Sequence, residues 1–157
     1  MQSEIKIKNA LVWITNILNS KKVPFQISGG LAARIYGSPR PLNDIDIDIP
    51  EENFIDIYED VKPYITYGPD QYKDEKWDCY LMTLNYFGQE IDICGANNTK
   101  ITAKDNKTWL SLSSDLKDVN YQEYLDIMVP VMPKQELIDY KRQLNGNHQL
   151  IDIDAII

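Results

Sequence analysis

Three aspartates alternate with isoleucine along Asp44-Ile45-Asp46-Ile47-Asp48-Ile49, and Pro50 ends the run. In an extended strand, residues two apart project from the same face and lie roughly 6.6 to 7 Å apart along the chain. Asp44 and Asp46 therefore present side-by-side carboxylates, while Ile45, Ile47 and Ile49 supply an apolar face. Carboxylates at that spacing can converge on a hard divalent cation. Mg²⁺ takes oxygen ligands, keeps several waters and is commonly held by one or two carboxylates together with substrate phosphates, so the pair suits a Mg²⁺-nucleotide. The run also reads as the solvated face of an amphipathic segment, because Ile-Asp-Ile occurs five times, at residues 45–47, 47–49, 55–57, 91–93 and 151–153. Aspartate is disfavoured in strands, however, and three in one strand run against local propensity, as functional sites often do.

Fourteen residues before Asp44 stands Gly30, the second residue of Gly29-Gly30. This pair closes the alternation Phe25-Gln26-Ile27-Ser28 and opens an apolar periodic stretch. At a strand-to-helix turn, free backbone amides can face an anion and the missing side chains let phosphate approach. An ordinary tight turn is the other meaning of a Gly-Gly pair. Neither the Rossmann glycine fingerprint nor a lysine-bearing P-loop is present.

Taken in order, Ile27-Ser28-Gly29-Gly30, Arg40 and Asp44-Ile45-Asp46-Ile47 resemble the signature of the polymerase-beta-type nucleotidyltransferase superfamily. In that family a Gly-Gly or Gly-Ser turn precedes a short helix, and an Asp-x-Asp strand binds the catalytic metals. The nearest groups are the lincosamide and aminoglycoside nucleotidyltransferases and the nucleotidyltransferase toxins of bacterial toxin-antitoxin systems. The resemblance covers most of residues 25–94 and the remainder loosely.

The resemblance implies that Asp44 and Asp46 bind two Mg²⁺ ions bridging the triphosphate of ATP or another NTP, with Ser28, Gly29 and Gly30 holding its terminal phosphates. It also implies a third carboxylate from a later strand. Asp92, in Glu90-Ile91-Asp92-Ile93, is the choice, and Glu90 on the same strand face is its competitor. Asp92 would share one metal and deprotonate an acceptor hydroxyl, which attacks the α-phosphorus as pyrophosphate leaves. Arg40 matches the family's arginine position and is expected to contact phosphate or fix the turn. Pro133, Glu136-Leu137-Ile138, Lys141 and Asp152 resemble the closing pattern of these groups, which makes Lys141 a candidate for the nucleotide phosphates. Asn43 departs from the hydroxyl residue common at its position. That departure bears on activity more than on fold.

The elements that must position these groups follow from periodicity. Ile7, Leu11, Ile14 and Leu18 mark one face of a first helix, with Ser3 as N-cap and an end near Lys21. Val23-Pro24 breaks it before the strand ending at Ser28. Leu31, Ala32, Ile35 and Tyr36 fit a short second helix stopped by Gly37. After the acidic strand, Glu51 and Glu52 suit the first turn of a third helix that runs to about Val61. The pattern then turns β-like at residues 65–67, 77–87 and 90–94, with a hairpin turn at Gly88-Gln89. Residues 95–120 are polar and without period, and are expected to be mostly loop anchored by Trp109 and Leu110. One strand is expected over residues 124–131 and a fourth helix over residues 134–144, opened by Pro133. The tail, residues 150–157, fits helix and strand equally. The expectation is one nucleotidyltransferase-like domain over residues 1–157, an α/β (α+β) fold with a mixed sheet flanked by helices.

Composition bounds the rest. The chain has 157 residues, 43% hydrophobic and 25% charged, as ordinary globular domains have. No apolar stretch approaches the roughly 20 residues of a membrane span, and Glu4, Lys6 and Lys8 precede no apolar signal region, so a cytoplasmic address is expected. Cys79 and Cys94 lack metal-ligand spacing and read as small buried hydrophobes. His148, the sole histidine, reads as a surface residue. A net charge of -8 argues against broad nucleic-acid binding and leaves the acceptor open among a small molecule, RNA and protein. A negative cleft favours cationic acceptors somewhat, and a homodimer could complete the acceptor site. Two other classes fit the same carboxylates: a catalytically inactive interaction module of the same fold, and a Mg²⁺-dependent phosphate-ester hydrolase.

Overall fold

The structure is a computed structural model and describes residues 2–157. The first apolar periodicity becomes α1 (Gln2–Ser20), with Ile7, Leu11, Ile14 and Leu18 all buried on one face. Ser3 lies inside this helix, not at its cap. The helix ends before Val23, and β1 (Gln26–Ser28) runs directly into α2 (Gly29–Ile35). The acidic run is β2 (Asp44–Ile49), its isoleucines fully buried and its aspartates half-buried. Glu51–Asn53 forms a 3-10 turn leading into α3 (Phe54–Val61). Then come β3 (Ile65–Lys73), β4 (Trp77–Tyr86), β5 (Gln89–Gly95), β6 (Lys100–Thr102), β7 (Trp109–Ser111), β8 (Asn120–Tyr124), β9 (Ile127–Val131), α4 (Lys134–Gln143) and α5 (Asn147–Ile156).

Eight strands form one mixed sheet in the order β7-β6-β4-β5-β2-β1-β9-β8, with β3 paired to β4 outside that path. β2 lies antiparallel to β1 and parallel to β5, and β5 is antiparallel to β4. Because side chains alternate across a sheet, the isoleucines of β2 and β5 share one face. They join Leu11, Ile14 and Leu18 of α1 and Phe54 and Ile57 of α3 in the hydrophobic core. The opposite face keeps the carboxylates, and Tyr140 and Lys141 of α4 lie over it.

Three local expectations are corrected and one open alternative is resolved. Residues 95–120 are not mostly loop: β6 extends the sheet from β4, pairing Ile101 with Trp77, and β7 pairs with β6. Strands of three residues carry too little alternation to declare themselves. Their anchor is Ile101, fully buried, whereas Trp109 remains exposed with Lys73 over its ring. The single strand expected at residues 124–131 is a hairpin, β8 and β9, turning at Leu125 and Asp126, both at positive φ. The β4–β5 turn falls at Phe87-Gly88, one residue earlier than expected, so Gln89 is already paired with Tyr86. The ambiguous tail is helical from Asn147.

Candidate active site

Strand register builds the site. Thr83 on β4, Asp92 on β5, Asp46 on β2 and Ser28 on β1 are successive partners across four strands and form one row. The row above it contains Asn85, Glu90 and Asp44, and the row below contains Leu81, Cys94, Asp48 and Gln26. Asp44, Asp46 and Asp92 each offer an oxygen, and these oxygens lie within 4.8 Å of one another. Glu90, the competitor for the third position, is exposed beside Asp44 and stands outside that cluster.

Burial and crowding of carboxylates cost free energy that shows in the proton affinities of Asp46 and Asp92. Burial raises Asp46 well above the ordinary carboxylate range, and the charges of Asp44, Asp92 and Asp48 push it further. Burial likewise lifts Asp92 to about 6, with Asp44 and Glu90 adding to the rise and a hydrogen bond from Thr83 opposing it. A divalent cation would relieve this repulsion, and an all-oxygen donor set is what Mg²⁺ accepts. The residues therefore fit the metal that the resemblance implies.

The glycine turn abuts this cluster. Gly29 adopts φ +62°, and a Cβ there would overlap the Asp46 carboxylate. A Cβ on Gly30 would lie 2.8 Å from an Arg40 guanidinium nitrogen. Gly29 therefore excludes a side chain, and one at Gly30 would displace the Arg40 guanidinium. The polar groups of the turn are partly engaged already: the Gly29 N–H donates to the Tyr140 hydroxyl at 2.8 Å, and the Ser28 hydroxyl donates to Asp48 at 3.2 Å. Gln26 also donates to Asp48, at 2.9 Å. Burial still raises Asp48 to about 6 against these two hydrogen bonds.

Arg40 and Lys141 meet at Asp152. Arg40 donates through Nε at 3.0 Å and a terminal nitrogen at 2.7 Å, Lys141 Nζ lies 3.0 Å away, and Ser38 donates at 2.6 Å. Asp152 is fully buried, yet the hydrogen bonds from Arg40, Ser38 and Lys141 overcome burial and hold it at about 2. Lys141 also donates to the Gln149 side-chain oxygen at 2.9 Å. Arg40 thus fixes the connection into β2 by tying it to α5, and its guanidinium still borders Gly30. Thr83, Tyr140, Gln26 and Gln149 carry no sequence motif. Only the register and the docking of α4 and α5 bring them to the site.

Most of these groups border one cavity of about 790 Å³, with Gln26, Ser38, Asn85 and Asp152 outside its lining. Arg40 and Lys141 stand at its wall with five carboxylates, Asp44, Asp46, Asp48, Glu90 and Asp92, and Trp77, Leu81, Leu112 and Leu144 add apolar lining. Cys79 is buried and Cys94 half-buried, both free and both bordering this cavity. His148 is exposed at the same cavity, its Nε2 2.9 Å from the Gln149 amide nitrogen.

No protein-family model matches the chain, and no curated protein matches it in sequence. Solved structures do match in shape. TM1012 of Thermotoga maritima, assigned as a nucleotidyltransferase, superposes with a TM-score of 0.70 at 22% identity, over 85% of this chain and 81% of its own. The chain has the nucleotidyltransferase fold. The lincosamide antibiotic adenylyltransferase LnuA, solved with lincomycin, shares that fold at a TM-score of 0.61 and 16% identity, over 93% of both chains. ANT(2″)-Ia, solved with adenylyl-2″-tobramycin, also reaches 0.61 at 13% identity, over 94% of this chain and 86% of its own. The nucleotidyltransferase fold accounts for the mixed sheet and flanking helices expected from the sequence. Among the described residues, no helix is long and apolar enough to cross a membrane.

Proposed function

We propose that the chain is a metal-dependent nucleotidyltransferase that moves a nucleoside monophosphate, with AMP from ATP the favoured case, to a hydroxyl of a small-molecule acceptor. The observation that carries this reading is the meeting of Asp44, Asp46 and Asp92 beside the Gly29-Gly30 turn, in one cavity, on a nucleotidyltransferase fold. Two neighbours of similar span, LnuA and ANT(2″)-Ia, were solved with lincomycin and adenylyl-2″-tobramycin. Their coverage of nearly the whole chain favours a small acceptor over RNA or protein.

In this reading Asp44, Asp46 and Asp92 hold two Mg²⁺ ions, which when bound supply charge neutralisation at the attacking and leaving oxygens. Gly30, Arg40 and Lys141 border the triphosphate. Asp92, on the strand beside the Asp44–Asp46 pair, is the carboxylate that accepts the proton of the acceptor hydroxyl. The hydroxyl oxygen forms a bond to the α-phosphorus and pyrophosphate departs, so no protein nucleophile is needed. Catalysis is then mostly positioning and charge compensation.

The deciding experiment incubates the protein with each labelled ribonucleoside triphosphate, Mg²⁺ and a panel of hydroxyl-bearing small molecules, RNA and protein, followed by mass analysis. A nucleoside monophosphate adduct on a small molecule is expected. Adducts on RNA or protein alone would reassign the acceptor. Free phosphate without any adduct would identify a hydrolase, and absence of both product and Mg²⁺-ATP binding heat would leave a non-catalytic module.

A further inference from the structure

We infer that Thr83 is a positioning residue that holds the Asp92 carboxylate in the orientation the cation site requires. The inference rests on the reading above in one respect, that Asp92 is a metal ligand. Thr83 stands directly opposite Asp92 in the antiparallel β4–β5 ladder, on the cavity face. Its hydroxyl donates to Asp92 Oδ1 at 2.7 Å, and it is the one side-chain donor to Asp92 among the described residues. Only 8% of Thr83 is exposed, so water competes poorly for this hydrogen bond.

The chemistry makes the contact more than incidental. A lone carboxylate facing Asp44 and Asp46 is repelled by both and would swing away from them toward solvent. A donor on the far side holds it in place, and one oxygen engaged by Thr83 leaves the other free to face the cluster. Threonine is branched at Cβ and therefore stiff at χ1, and the paired strand holds its hydroxyl toward Asp92. Its neighbours in the core, Met82 and Leu84, are fully buried and pin the strand. Partners that orient a ligating carboxylate in this way are typically worth about 10- to 100-fold in metal affinity or activity.

The test is Mn²⁺ titration of the nucleotide-free protein, followed by electron paramagnetic resonance, on five forms: the unmodified protein, Thr83→Val, Thr83→Ser, Asp92→Asn and the double variant Thr83→Val/Asp92→Asn. Valine keeps the shape and removes the donor. Affinity is expected to fall about 10-fold or more in Thr83→Val and to stay within about twofold in Thr83→Ser, while adding Thr83→Val to Asp92→Asn should cost nothing further. Circular dichroism establishes that each form is folded, and Thr83→Ala replaces valine if that variant is not. Unchanged affinity in Thr83→Val, beside weakened binding in Asp92→Asn, would overturn the role of Thr83 and leave the metal reading standing. Unchanged affinity in Asp92→Asn would overturn both. A serine variant as weak as valine, or an equal loss on the Asp92→Asn background, would overturn the inference by showing that Thr83 acts through packing.

Discussion

The same three residues, Ile-Asp-Ile, occur at positions 45–47 and 151–153, and the two aspartates have opposite fates. Asp46 sits on a strand among three other aspartates, and burial with those charges raises its proton affinity well above the ordinary range. Asp152 sits on a helix, fully buried, yet it receives Arg40, Ser38 and Lys141 and is held at about 2. Asp152 is a satisfied charge, whereas the charges around Asp46 are mostly of its own sign. The difference separates a carboxylate whose charge the fold satisfies from one that it leaves crowded, although the triplet is identical.

Exchanging each aspartate for asparagine is the strongest way to break this contrast. Asp46→Asn removes one repelling charge, so the protein should fold with equal or higher stability, while nucleotide transfer falls about 10²- to 10³-fold. Asp44→Asn should behave alike. Full activity in both variants would dismiss the assignment. Asp152→Asn should do the reverse in its primary effect, because it leaves Arg40 and Lys141 without their buried counter-charge. Losing one partner of such a group costs about 3 to 5 kcal/mol. For a chain of this size that corresponds to a fall in Tm on the order of 10 °C, readable by thermal denaturation. A drop smaller than that of Asp46→Asn would erase the distinction.

Most of the framework behind this contrast was legible in the sequence. The isoleucine alternation located β2, the glycine pair located the strand-to-helix turn, and the motif order pointed to the fold. The hidden part came from pairing. A turn at Gly88-Gln89 would set Asn85 opposite Asp92, whereas the actual turn at Phe87-Gly88 sets Thr83 there. Phe87 occupies positive φ, which local propensity does not suggest, and a one-residue slip changes every cross-strand partner. Asp152 was visible as part of a closing pattern. Its partners were not, since Ser38 and Arg40 lie more than a hundred residues away and α5 itself fitted two templates. Local periodicity cannot report such contacts.

A smaller effect sharpens the boundary between the glycine turn and the acidic strand. Gly29→Ala must place a side chain at φ +62° and against the Asp46 carboxylate. Left-handed backbone at a non-glycine residue costs roughly 1 to 3 kcal/mol, and displacement of Asp46 should add a loss of Mn²⁺ affinity. At Gly37, φ +125°, a Cβ would make only ordinary contact, 3.9 Å from the Ala155 carbonyl oxygen. Gly37→Ala should therefore cost stability alone and leave metal affinity unchanged. Equal effects of the two alanines on Mn²⁺ binding would show that Gly29 serves only the backbone.

The mildest test uses pH, where the two kinds of carboxylate act in separate windows. Burial raises Asp48 and Asp92 to about 6 in the folded protein, against an ordinary value of roughly 3.9 in the unfolded chain. Between those values the folded state binds more protons, so these groups favour folding increasingly as pH falls from about 7 to about 4. Asp152, held at about 2, has the opposite sign: its contribution is complete above about 4 and disappears only as pH falls through 2. Metal-free protein should accordingly gain stability toward pH 5 and lose it steeply below 4. Saturating Mg²⁺ binds the ionised cluster, so it should raise stability most at pH 7 and flatten or reverse the gain on acidification. Urea denaturation at pH 7, 5 and 3, with and without Mg²⁺, reads all three changes. A metal-free protein that weakens steadily from pH 7 to 5 would mean that the aspartates of β2 and β5 are as well satisfied as Asp152.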